Sequence, residues 1–240
     1  MKVCKKWIKS CMTIVLMSVI VLFSLLVAGG YQSFQRALHE RPIAVMMKEI
    51  RQNSSYTKLS EIPRIYQDAI IAAEDPRFYS HNGIDLFAIA DALVRDIKAR
   101  DFVAGGSTIT QQLCKNQFFT QKKTFTRKFA EVFMVRDVES HCSKSDILEL
   151  YINSIYYGNG YYTLFDASMG YFQKIPSDLN AWECTMLAGL PNAPSAYAPT
   201  VNPELALERQ KQVLDAMVQH GYLTQCGVEE ILRQCPEHFQ

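Results

Sequence analysis

Ala72-Ala73-Glu74-Asp75-Pro76-Arg77-Phe78-Tyr79-Ser80-His81-Asn82-Gly83-Ile84-Asp85 opens the stretch around which the chain is organised. It runs on through Gly105-Gly106-Ser107-Thr108-Ile109-Thr110-Gln111-Gln112-Leu113-Cys114-Lys115-Asn116 and closes with Arg127-Lys128-Phe129-Ala130-Glu131. Two carboxylates in weakly charged surroundings, a Gly-Gly turn rich in hydroxyls and amides, and a cluster of cations lie close together in sequence. Such a set suits a polyhydroxylated, negatively charged ligand.

Glu74 ends the apolar run Ile70-Ile71-Ala72-Ala73. A carboxylate desolvated there has its pKa pushed up, the condition for moving a proton near neutral pH. On spacing alone a plain helix end in solvent is the better reading. Asp75 is better placed to orient backbone than to do chemistry, and His81 to make a structural hydrogen bond. Ser107 or Thr108 after Gly105-Gly106 predicts a helix start with free N–H groups, which attract anions or simply form an ordinary cap. Lys115, Lys122, Lys123, Arg127 and Lys128 form a cationic run interrupted by Phe118, Phe119 and Phe125. Arg127 and Glu131 share a helix face, and as a surface pair would contribute only about 0.2–0.5 kcal/mol.

Outward from this stretch the pattern is helical. Helices are expected over 65–73, from Asp85 to about 100, from 107 or 108 to 118, and over 124–139. Ser143 with Asp146 and Asn180 with Glu183 resemble capping boxes. Asn202-Pro203 starts a helix that Gly221 ends in the left-handed position. Further short helices are expected over 164–172 and 224–234. The apolar positions 86, 89, 90, 93, 94 and 97 read as a core face, with a membrane-facing surface as the alternative. No segment alternates like a strand. Tyr151, Tyr156, Tyr157, Tyr161 and Tyr162 suit sugar stacking or a core.

The 240 residues carry a net charge of +1, which indicates nothing about nucleic acid. The charge distribution is more informative. Lys2, Lys5, Lys6 and Lys9 precede an uncharged run from Ser10 to Gln35, and Met12 to Ala28 is almost wholly apolar. Such a run spans roughly 30 Å of hydrocarbon as a helix, and the lysines predict a cytoplasmic N-terminus. Val27-Ala28-Gly29 would suit signal cleavage. The run exceeds the about 7–15 apolar residues of a signal peptide, so an uncleaved anchor is expected. The expected layout is a cytoplasmic tip (1–9), a transmembrane anchor (10–30), a connector (31–60) and one extracytoplasmic domain (61–240). The seven cysteines form no CxxC or Cys–His metal pattern, although a Cys226–Cys235 bridge stays open.

Together these motifs resemble the family 51 glycosyltransferases, the peptidoglycan glycosyltransferases of penicillin-binding proteins and of monofunctional transglycosylases. Glu74-Asp75-x-x-Phe78-x-x-His81-x-Gly83-x-Asp85 resembles the first family signature, and Gly105 to Asn116 the second. Arg127-Lys128-x-x-Glu131 is similar to the third. Lys144-x-x-Ile147-Leu148-Glu149-x-Tyr151-x-Asn153-x-Ile155-Tyr156-Tyr157-Gly158 is similar to the fourth, and Asn202-Pro203 through Arg209 and Val213-Leu214 to the fifth.

The resemblance implies a mainly α fold: a lysozyme-like head with a smaller membrane-facing lobe, on one N-terminal transmembrane helix. It implies polymerisation of lipid II into glycan strands, with release of undecaprenyl diphosphate. Glu74 would be the general base and Glu131 the second carboxylate. Asp75, Ser107, Thr108, Gln111, Gln112, Lys115, Lys123 and Arg127 would bind substrate, with Lys115 and Arg127 at the diphosphate. No cofactor is required and no metal motif is visible, although some members use a divalent cation (Mg2+ or Mn2+) at the diphosphate. The implied partners are lipid II, the growing strand, the membrane and other wall-synthesis proteins.

No Ser-x-x-Lys transpeptidase nucleophile follows within the 240 residues, so a monofunctional enzyme is expected. Lys123, Thr163, Gln173 and Lys211 depart from the family pattern, which usually has Arg, Gly, Gly and Arg there. The alternatives are a catalytically weak membrane-anchored scaffold and a glycan hydrolase, since fold alone does not decide chemistry.

Overall fold

A computed structural model describes residues 2–99, 105–120 and 124–236. Among the described residues twelve α-helices follow one another: α1 (Lys2–Glu40), α2 (Ile43–Arg51), α3 (Arg64–Glu74), α4 (Leu86–Ala99), α5 (Ile109–Phe118), α6 (Phe125–His141), α7 (Lys144–Ile152), α8 (Leu164–Phe172), α9 (Ala181–Gly189), α10 (Pro194–Tyr197), α11 (Pro203–Gln219) and α12 (Gln225–Leu232). There is no strand among the described residues.

The caps account for the helix boundaries. Thr108, Ser143 and Asn180 each close a reciprocal capping box, and Thr124, Thr163 and Thr224 accept from the first turns of α6, α8 and α12. Pro203 stands at the start of α11, and Gly221, at φ +76°, follows its end. Asp85 Oδ1 accepts from the Ala88 N–H at 2.9 Å and caps α4.

The core is built around α9, in which every residue from Trp182 to Gly189 is buried. A helix buried on all sides belongs inside a larger assembly, and the buried Glu183 of α9 is paired with Lys174 at 2.7 Å. Here α3 and α11 flank it, and α5 in turn packs on α6 and α7. One layer of this core is tyrosine: Tyr66, Tyr151 and Tyr157 are fully buried, and the hydroxyls of Tyr66 and Tyr157 lie 2.6 Å apart.

The anchor does not stop at residue 30. Its 39 residues form one helix, roughly 58 Å long at 1.5 Å per residue. Residues 10–40 are long and apolar enough to cross a membrane, with a mean hydropathy of 2.8 over the most apolar window. The C-terminal part of α1 packs along α6. Phe23 meets Phe129, and Tyr31 and Phe34 meet Phe133, at ring-centroid distances of 5.4–6.0 Å. Gly30 makes the approach close: a Cβ there would lie 2.4 Å from the Phe129 Cβ.

The stretch 31–60, read from sequence as a connector, is therefore part of the domain. Phe34, Ile43, Met46 and Ile50 are in the core, and Arg41 donates to the Gln117 carbonyl at 2.7 Å. The polar residues of 31–60 had masked this, because their apolar neighbours are spaced for two short amphipathic faces.

The face of α4 departs from the expectation of a core. Leu86 (74% exposed), Phe87 (79%), Ile89 and Val94 point outward, and Ala92 is buried. The helix is amphipathic, as its period predicted, but the described residues place no other helix against that face in more than slight contact. The side chains at 93 and 97 and the stretch Phe102-Val103 lie outside the described residues.

Candidate active site

The first two signatures meet at the junction of α3 and α5. Two adjacent carboxylates reach the same helix one turn apart. Asp75, buried at the C-cap of α3, accepts the Ile109 N–H through Oδ2 at 3.0 Å and so caps α5 with a charge at its positive end. Glu74 accepts from Gln112 Nε2 at 2.7 Å. His81 holds Asp75 in turn, with Nε2 2.9 Å from Oδ1. The Gly83 N–H donates to Nδ1 at 3.1 Å, which puts the ring proton on Nε2. Asp75 and His81 are thus the orienting groups that their positions in sequence suggested.

Glu74 is the chemically exposed partner in an otherwise closed environment. Its side chain is 7% exposed, and Arg209 Nη2 lies 3.7 Å from Oε1. That distance is too long for a hydrogen bond, and Oε1 is buried with no hydrogen-bond partner. Burial pushes the Glu74 pKa up, and the negative charge of Asp75 adds to this. The Gln112 hydrogen bond and the charges of Arg209 and Lys115 pull it back only in part. A carboxylate with a free lone pair and a raised pKa is equipped to accept a proton.

Glu131, also buried, is arranged differently. Arg127 Nη1 donates to Oε1, and Lys128 Nζ lies 3.1 Å from Oε2. The i, i+4 spacing on α6 that sequence left as a surface pair is a clamp on a buried carboxylate, because α5 and α1 pack against α6; Arg127 is part-buried and Lys128 exposed. Lys115 feels the charge of both carboxylates. Burial lowers its pKa, with Arg127 and Lys128 adding to the effect, while Glu131 and Glu74 oppose it. The amine therefore lies in the field of both acids and of the α6 cations.

The remaining expected ligands divide. Thr108 and Gln111 are buried and engaged in the α5 capping box, and the Thr108 hydroxyl donates to the Gly83 carbonyl at 2.6 Å. Ser107 is exposed beside them. Gln112 is part-buried and bonds Glu74 directly. Lys123 lies outside the described residues.

Glu149 and Asn153 of the fourth signature are scaffold. Glu149 accepts the Leu59 N–H at 2.7 Å and the Tyr56 hydroxyl, and Asn153 exchanges two 2.8 Å bonds with the Thr57 backbone. Arg209 was quoted within the fifth signature but not as a site residue. It comes from α11, and its place beside Glu74 depends on packing that no local pattern records.

Asp75, His81 and Asp85 bring ligand atoms within 4.8 Å of one another. They do not fit a divalent cation. Asp85 Oδ2 is held by the Arg77 guanidinium at 2.7 Å, and both Asp75 oxygens are taken by His81 and Ile109. Nor is Glu131, the acid whose charge acts most on Lys115, open to one, since both its oxygens face cations.

The transglycosylase family model matches residues 39–218, from the end of α1 through α11 and across all five signatures. The chain belongs to the transglycosylase family. This transglycosylase domain is 44% identical over 183 residues to penicillin-binding protein 1A of Neisseria flavescens, covering 76% of this chain and 23% of the relative. It is 44% identical over 173 residues to penicillin-binding protein 1F of Bacillus subtilis, covering 72% and 24%. The chain thus spans about a quarter of the length of the curated relatives it matches. The 2.6 Å crystal structure of penicillin-binding protein 1A from Haemophilus influenzae aligns with 75% of this chain and 17% of its own, at 23% identity and a TM-score of 0.45.

Proposed function

We propose that this transglycosylase domain is a peptidoglycan glycosyltransferase that joins lipid II to a growing glycan strand. The observation that carries the proposal is Glu74 Oε1, a buried carboxylate oxygen with no hydrogen-bond partner on a group whose pKa burial has raised. The acceptor 4-hydroxyl fills that position. Its oxygen attacks the anomeric carbon of the strand, its proton passes to Glu74, and the bond from that carbon to the diphosphate oxygen breaks. The departing diphosphate takes the electron pair, and Lys115 and Arg127 meet its charge. Glu131 holds Arg127 and Lys128 in place for that task rather than exchanging a proton, since both of its oxygens already accept. Ser107 and Gln112 face the sugars.

The anchor supports a membrane setting. With α1 in the bilayer and its basic end in the cytoplasm, the domain lies on the outer face, where the exposed apolar side chains of α4 enter the same lipid surface. Lipid II then reaches the site from the membrane plane. Other wall-synthesis proteins are natural partners.

The test is a gel of glycan products from labelled lipid II, using the detergent-solubilised chain beside Glu74→Gln. The account expects a ladder from the first alone, with turnover of the variant down by about 10²–10⁴-fold. Shortened fragments from preformed strands would instead identify a hydrolase. No product from either protein, with lipid II still bound, would identify a scaffold.

A further inference from the structure

Gln112 poses a problem of orientation. A glutamine amide can turn either its nitrogen or its oxygen toward a neighbour at almost no steric cost. Toward an ionised Glu74 only the nitrogen is useful, since the amide oxygen would face a carboxylate oxygen lone pair to lone pair. The amide oxygen of Gln112 has its own partner. Tyr151, on α7, is fully buried and donates its hydroxyl to Gln112 Oε1 at 3.1 Å. The chain of hydrogen bonds runs from the Tyr151 hydroxyl through the Gln112 amide to Glu74 Oε2, the last link being 2.7 Å.

We propose that Tyr151 is a positioning residue for this reaction: its hydroxyl locks the Gln112 amide so that Nε2, and not Oε1, faces Glu74. The proposal rests on Glu74 being the general base. It gives Tyr151 a task that neither sugar stacking nor core filling would require. A tyrosine that only filled the core would need no partner that touches Glu74, and its neighbour Tyr157 shows that pattern, its hydroxyl meeting Tyr66 and the Ile152 carbonyl.

The chemistry of the lock is consistent. Burial and the charge of Glu74 raise the Tyr151 pKa well above its ordinary value, so the phenol stays protonated and keeps donating wherever the enzyme works. A hydrogen bond to the carboxylate favours its charged form, and the Gln112 bond accordingly pulls the Glu74 pKa down against the effect of burial. The other groups facing Glu74 are Lys115 from α5, Arg209 from α11 and Asp75 beside it in the chain. None of these touches the Tyr151 hydroxyl directly, so removing that hydroxyl should act through Gln112.

The experiment is the pH dependence of kcat for lipid II polymerisation by the full chain in detergent, with KM measured alongside. Four variants are compared with wild type: Tyr151→Phe, Tyr157→Phe, Gln112→Ala and Glu74→Gln. Tyr151→Phe is expected to move the acid limb of kcat up by about one pH unit, with KM unchanged. Tyr157→Phe, which removes a hydroxyl from the same tyrosine layer, should leave the limb in place. Gln112→Ala should move it in the same direction, and adding Tyr151→Phe to it should move it no further.

An unmoved limb in Tyr151→Phe would overturn the proposal, as would an equal movement in Tyr157→Phe or additive shifts in the double variant. The Gln112 arm holds if Tyr151→Phe does not fold, because an unmoved limb in Gln112→Ala would overturn the proposal by itself. If Glu74→Gln keeps wild-type turnover and the same acid limb, the general-base reading has failed and the proposal falls with it. If Glu74→Gln is inactive and only the Tyr151 predictions fail, the base reading stands alone.

Discussion

Glu74 and Glu131 are both buried carboxylates in signature motifs, yet their surroundings differ. At the end of α3, one oxygen of Glu74 takes a neutral amide, and the other has no hydrogen-bond partner, its ion pair with Arg209 being long at 3.7 Å. On α6, both oxygens of Glu131 are held by Arg127 and Lys128. Burial makes the first a group that can take a proton. The second holds two cations in place. Residue type does not separate the two roles; the supply of donors does.

The largest expected effect that would sharpen this contrast is on turnover. Glu74→Gln should lose about 10²–10⁴-fold in kcat, with lipid II binding retained. It should also raise Tm at neutral pH. The folded pKa of Glu74 lies above its unfolded value, so its contribution to stability is complete below the unfolded pKa and is lost as pH rises through the folded one. The gain in Tm should therefore shrink as pH falls below the ordinary carboxylate range. Thermal unfolding of both proteins at several pH values checks the sign.

Glu131→Gln should do the reverse. Removing one partner of a fully buried pair costs about 3–5 kcal/mol; with Lys128 half-exposed the loss here should be smaller, yet visible as a drop in the denaturant midpoint. If Glu131→Gln is as stable as wild type, the clamp is not what holds α6, and the contrast fails on that side.

A smaller effect concerns pH. Because burial raises the Glu74 pKa, kcat should climb with pH through a value above that of an exposed glutamate, and Gln112→Ala should move the climb upward by about one unit. No such limb in the wild type would remove Glu74 from the proton transfer.

The smallest effect is a control outside both regions. Gln173 ends α8 in the left-handed conformation at φ +57°, where the family usually has glycine. Gln173→Gly should stabilise by about 1 kcal/mol and leave turnover alone. A change in kcat from this variant would mean that stability and activity are not separable in these assays.

Much of this architecture was legible in the sequence because its signals are local. Ser143 with Asp146, Asn180 with Glu183, and Pro203 with Gly221 mark helix ends by chemistry acting within four residues, and the structure has helices there. The departure at Thr163 is local as well: its hydroxyl caps α8 by accepting from the Asp166 N–H at 3.0 Å, a bond that a glycine could not make.

What the sequence concealed depends on packing at long range. Gly29-Gly30 stands at the expected end of the anchor, yet α1 runs on through it, and the two glycines let it approach Thr126 and Phe129 closely. The period of α4 gave its apolar face but could not give what lies against it. Arg209 reaches Glu74 from 135 residues away in sequence, and Gln111, which the resemblance implies as a ligand, closes the capping box with Thr108. For the two carboxylates the sequence identified the atoms, and only the fold reveals which one is free.

The most direct test is a side-by-side measurement of Glu74→Gln and Glu131→Gln in the full chain, recording kcat on lipid II and the denaturant midpoint for each. The account predicts that Glu74→Gln is folded, at least as stable as wild type and nearly inactive, while Glu131→Gln is clearly destabilised. If Glu74→Gln polymerises at the wild-type rate, or if both variants lose stability equally, the division of roles between the two carboxylates is wrong.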